Sequence, residues 1–131
     1  MTKTEDMLPF DPMKYLLDHI EEFKPIAYYD KHLDCIRVQL KDCSALEERK
    51  NRIFTVLKAN HADSGSFVGF NIKGVRYIFQ KIGLEMKGVV ALTELLNAIV
   101  KYFPEESVAT TAAKITSGLQ KSELNISFAP A

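Results

Sequence analysis

Five residues in two short stretches are of the types that hold metal ions. Asp30, His32 and Asp34 stand in Asp30-Lys31-His32-Leu33-Asp34, and His61 and Asp63 in Asn60-His61-Ala62-Asp63-Ser64-Gly65-Ser66. Carboxylate oxygens and imidazole nitrogens are donors that divalent transition ions take from proteins. His32, Asp34, His61 and Asp63 form a candidate metal site, with Asp30 beside it, if both stretches are bends at one end of one sheet. The commoner reading is that Asp, Asn and Gly are turn formers that need no metal.

Thiol chemistry is the second candidate. Cys35 and Cys43 lie on or just after one expected strand, too far apart along it to bridge. Both read as reduced thiols. Cys43 precedes Ser44, a candidate helix start that would lower its pKa. The competing reading is a small half-buried residue. Elsewhere His19 beside Asp18 reads as an exposed pair. Arg37, Gln39 and Lys41 share one strand face that could take an anion or a partner, or simply be solvated. Tyr28 and Tyr29 point to opposite sides of a strand. No glycine-rich phosphate loop, Cys-x-x-Cys, His-Glu-x-x-His or G-x-S-x-G elbow is present. The sequence supplies no catalytic constellation.

The elements that would position these residues follow from hydrophobic periodicity. Residues 1–10 are polar and unpatterned, and read as a mobile terminus ahead of a single α+β domain over 11–131. Asp11-Pro12 is a good helix start, and Met13, Leu16, Leu17, Ile20 and Phe23 share a helical face up to Lys24-Pro25. Ile26 to Leu40 reads as a hairpin whose second strand alternates: Ile36, Val38 and Leu40 on one side, Cys35, Arg37 and Gln39 on the other. Ser44-Ala45-Leu46-Glu47 is a capping box, and a helix from Ala45 through Leu57, with Leu46, Ile53, Phe54 and Leu57 inward, is one reading. The β-branched and aromatic run Ile53-Phe54-Thr55-Val56 favours the other, one or two helical turns at 45–51 and then a strand from about Arg52 to Lys58. Phe67 to Ile72 is a strand in which Gly69 marks a bulge or a close backbone approach.

Past Lys73-Gly74 the period becomes helical. Val75, Ile78, Phe79 and Ile82 share a face, with Gly83 as a stop. Leu92, Leu95, Leu96, Ile99, Val100 and Phe103 form the clearest amphipathic helix, ended by Pro104. Glu105 to Gly118 suits a weaker helix. Leu124-Asn125-Ile126-Ser127-Phe128 alternates and suits an added strand at the sheet edge, in its own chain or a partner's. The expected architecture is an antiparallel four-stranded β-meander with three to four helices packed on one face.

The spacing Tyr29-Asp30-x-x-x-Asp34, with Val68-Gly69-Phe70-Asn71-Ile72 later in the chain, resembles a family of very small bacterial β-hairpin domains of unknown function. The likeness spans about 29–72. It departs where the family carries an aromatic and this chain has Arg37, and the family's second hairpin is shorter. It implies a bacterial hairpin fold and no site residues.

Composition narrows the function classes. Of 131 residues 47% are hydrophobic and 26% charged, the make-up of a globular domain. Seventeen Lys and Arg balance seventeen Asp and Glu, which argues against nucleic acid and against anionic lipid as partners. No run approaches the roughly 18 apolar residues of a membrane span, and no signal-like leader is evident, so a cytoplasmic protein is expected. Two functional readings remain. The first is a non-catalytic protein-interaction or regulatory module acting as a homodimer, since 89–103 and the alternating tail offer surplus apolar surface. The second is a small-ligand or divalent-metal-binding module, possibly enzymatic, using the bends at 30–34 and 60–66.

Overall fold

The structure is a computed structural model that describes residues 12–13, 24–60, 66–119 and 123–128. Pro12 and Met13 are helical; the rest of the helix expected to Phe23 lies outside the described residues. The chain continues as β1 (Ile26–Asp30), β2 (Cys35–Gln39), β3 (Ala45–Arg49), β4 (Phe54–Ala59), β5 (Phe67–Lys73), α1 (Val75–Ile82), β6 (Gly88–Ala91), α2 (Leu92–Tyr102), α3 (Glu106–Leu119) and β7 (Asn125–Phe128).

The fold is α+β. Its main sheet is antiparallel and five-stranded, in the order β1-β2-β5-β4-β3. Register explains the core. Tyr29, Ile36, Ile72 and Phe54 stand in one cross-strand row, and Ala27, Val38, Phe70 and Val56 in the next. The inner residues of these rows are buried, and the side chains of α1, α2 and α3 close over them. Leu92, Leu95, Leu96, Ile99 and Phe103 are spent entirely in this core. Burying such side chains stabilises by roughly 1.5–3 kcal/mol each.

Two expectations change here. Residues 45–49 form an edge strand, not helical turns. Their backbone pairs with β4 from Ala45 opposite Ala59 to Arg49 opposite Thr55, and these ladder bonds outweigh the local capping signal. The sheet is also not a simple meander, because β5 returns between β2 and β4. The β1–β2 turn therefore meets the start of α1, where the Asp34 carbonyl accepts from the Gly74 and Val75 amides. The ends of the β4–β5 connection meet the opposite end of the sheet. There Ala59 N–H donates to Ser66, Asn60 N–H to Ser44 and Leu40 N–H to Val68.

The alternating tail forms β7, which pairs with β6 of its own chain in a separate two-stranded sheet instead of extending the main one. Ile126 and Phe128 are buried, with the Phe128 ring centroid 5.2 Å from Phe79 and 5.3 Å from Tyr29. Gly69 does mark a close approach. A Cβ there would fall 2.3 Å from the Val38 carbonyl oxygen, a contact that only glycine avoids.

Candidate ligand-binding cleft

The carboxylates of the first bend are engaged in building it. Asp30 Oδ1 accepts from the backbone amides of His32 and Leu33 at 3.0 and 3.2 Å, an Asx turn. Its other oxygen lies 3.6 Å from Arg37 Nε. Asp34 sits at φ 52°, a left-handed conformation that Asp tolerates better than most residues. Its carboxylate accepts the Tyr29 hydroxyl at 2.8 Å and the Arg76 amide at 3.1 Å. Since the helix α1 starts at Gly74 with no side-chain cap of its own, Asp34 supplies one from another element. Burial and the Asp34 carboxylate together push the Tyr29 phenol above its usual range.

His32 is exposed beside this turn. His61 and Asp63 lie outside the described residues. The adjacency expected for the two bends came from the meander order, and the flanking residues Ala59 and Ser66 stand at the other end of the sheet from Asp34. Among the described residues no three His, Cys, Asp or Glu side chains converge as metal ligands.

Both cysteines are free thiols. Burial raises the Cys35 pKa above its ordinary value. Cys43 falls in the link between β2 and β3, ahead of a strand and not of a helix, so the expected helix-terminus activation has no source. On the sheet face away from the helices, the solvated reading holds at the margins, where Gln39 and Lys41 are exposed. The centre differs: Thr55 is 1% and Asn71 3% exposed, and the Thr55 hydroxyl has no hydrogen-bond partner among the described residues.

A different site emerges on the helix side. Between β4 and α3 lies a cleft of about 400 Å³. Its charged lining is Lys50, Lys58 and Lys114, its hydroxyls are Thr111 and Ser117, and its floor is Val56, Phe67 and Ile115. The local folding that builds it is explicit. Phe54, Val56 and Lys58 alternate onto one face of β4, so the lysine continues an apolar row outward. The β4–β5 register slips between Leu57 and Lys58, a bulge that sets Lys58 opposite Phe67. Gly118 lets α3 come down on the Phe67 ring, where a Cβ would lie 2.7 Å from a ring carbon. Phe67 in turn stacks on Phe70 with centroids 6.4 Å apart.

Asn51 ties the two walls together. Its side-chain oxygen accepts from the Ile53 and Phe54 amides at 2.9 and 2.8 Å. Its amide nitrogen donates toward the Ser107 hydroxyl at 3.2 Å and the Thr111 hydroxyl at 3.4 Å. The turn that carries Lys50 is thereby fixed to α3. Across the rim, Glu48 accepts from Lys58 at 2.7 Å and Lys50 at 3.2 Å. Those two bonds, Lys58 first, hold the Glu48 carboxyl below its usual range. Lys114 forms none of the ion pairs among the described residues.

Sequence reasoning missed this cleft because its lysines are far apart in the chain. One signal was present: Lys58 falls on the core-facing side of an otherwise apolar alternation.

Compared with known protein families, characterised proteins and solved structures, the chain matches none. The likeness of residues 29–72 to small bacterial hairpin domains rests on those residues alone.

Proposed function

We propose that this protein is a binding module for a small organic anion, held in the cleft between β4 and α3. The observation that carries the reading is the polarity of the lining. Three ammonium groups and two hydroxyls surround an apolar floor, and the acceptor at the rim is Glu48. Thr111 already accepts from Asn51, which leaves its O–H to donate. A concave apolar surface with a few convergent donors is what ligand sites look like, and 400 Å³ lies inside their usual span. The reading takes up the second of the two functions read from the sequence, a small-ligand module, and moves it from the histidine bends to the lysines.

The first reading from the sequence, a self-associating interaction module, draws its motive from the apolar stretch 89–103 and the tail. Most of those residues pack inside one chain: the α2 face is buried in the core and β7 pairs with β6, while Val89 and Tyr102 stay exposed. That leaves less surface to argue from.

Thermal melting against millimolar phenyl phosphate, benzoate and benzylammonium tests the proposal. A ligand that binds only the folded chain raises its stability by about 2.7 kcal/mol at a hundred times Kd. The anions should raise Tm and benzylammonium should not, and the gain should vanish in a Lys58→Met, Lys114→Met variant. Equal responses to anion and cation, or an unaltered gain in the variant, would remove the cleft as the site.

A further inference from the structure

The charges around the cleft say more than that its ligand is negative. Lys50, Lys58 and Lys114 contribute three positive charges, and Glu48, bonded to two of them, removes one. Lys114, Ser117 and Gly118 lie in the last turns of α3, whose carboxyl end adds about half a negative charge. The local balance is thus between about +1.5 and +2. Among the described residues no carboxylate lines the cavity itself.

Resting on the reading above, we infer that the ligand is a dianion, a phosphate monoester borne on a small apolar body, and that Glu48 is the resident counter-ion it must share the lysines with. A phosphate monoester carries about −1.5 to −2 near neutral pH and offers three acceptor oxygens, matching both the charge and the donors. A carboxylate or sulfate monoanion would leave an ammonium unpaired. The donors are lysines, which bind phosphate as mobile point charges without fixing its orientation. Glu48 is half exposed and hinged on an edge strand, so it can yield Lys58 and Lys50 without disturbing the core.

Isothermal titration of the full chain with phenyl phosphate, phenyl sulfate and inorganic phosphate at pH 7.5, a value chosen to keep the monoester near its full charge, tests the inference. Phenyl phosphate should bind about threefold to fivefold tighter than phenyl sulfate, the effect of roughly one more paired charge at a half-exposed site. It should also exceed inorganic phosphate, which lacks a body for Val56 and Phe67 to cover. Glu48→Gln should tighten phenyl phosphate several-fold, and Lys114→Met should shrink the phosphate-to-sulfate ratio. Both positions are on the surface, so circular dichroism should match the parent chain. Equal binding of phenyl phosphate and phenyl sulfate would overturn the dianion while leaving the anion site standing. Tightening of neither ligand by Glu48→Gln would overturn the counter-ion role. Binding of none of the three would sink this inference and the anion site together.

Discussion

Asp34 joins three parts of the molecule through one side chain. It ends the β1–β2 turn, holds the Tyr29 hydroxyl and caps the first amides of α1. Asp34→Ala removes the cap and the phenol's partner and leaves alanine at positive φ. The expected loss is about 2 kcal/mol in urea unfolding, a cap worth roughly 1 and a left-handed backbone worth about as much again. Asp34→Gly relieves the backbone and should lose about 1 kcal/mol less. A second readout follows the phenol. Because the folded state holds the Tyr29 proton more tightly than the unfolded one, its contribution is full below the ordinary tyrosine pKa and fades as pH rises past it. In Asp34→Ala that alkaline loss should shrink, leaving the part due to burial. Equal stability of Asp34→Ala and the parent would show that the turn and α1 need no bridge. At this scale the sequence was half legible. Asp30 and Asp34 were recognisable as turn formers; that Asp34 also caps a helix more than forty residues on depends on β5 returning to that spot.

Elements were legible where hydrophobic period was strong and uncontested. The β1–β2 hairpin, β5, α1 and α2 all carry it, whereas a helical reading of 45–57 contests β4. The segment 45–49 carried two messages, a capping box locally and an unpaired β4 flank tertiarily, and the second prevailed because β4 offers five paired positions. Its charged outward sequence, Glu47 to Lys50, also suits an exposed edge that should not recruit other strands. The tail is the converse case. Its alternation is plain, but its partner is β6, four residues of Gly, Val, Val and Ala too short to announce themselves. Removing residues 124–131 deletes β7 and uncovers Phe79, Tyr29 and Val90. At roughly 1.5–3 kcal/mol for each of Ile126 and Phe128, the loss is about 3–6 kcal/mol, a large share of a small domain's stability. The truncated chain should melt far lower or fail to fold. A tail that served only to join two chains would leave the melting of the dilute protein unchanged.

The whole molecule separates a rigid centre from a pliable edge, and the cleft straddles the two. β5 is paired on both sides, by β2 and β4, and lies under the helices. β3 has one neighbour and a nearly wholly exposed set of side chains. Net charge was legible as zero from seventeen cations and seventeen anions, yet the fold gathers Lys50, Lys58 and Lys114 in one place, an imbalance that no total can reveal. Amide exchange should display the division. Phe70 and Ile72 should open only with global unfolding, whereas Glu47 and Arg49 should exchange through local fraying of the edge. Phenyl phosphate should then slow exchange at 47–50 more than at any other strand, because pairing Lys50 with a bound anion fastens the turn that Asn51 anchors to α3. Protection spread evenly over all strands would mean the ligand stabilises the fold globally without touching the edge, and protection confined to the β1–β2 turn would return the binding site to Asp30 and His32.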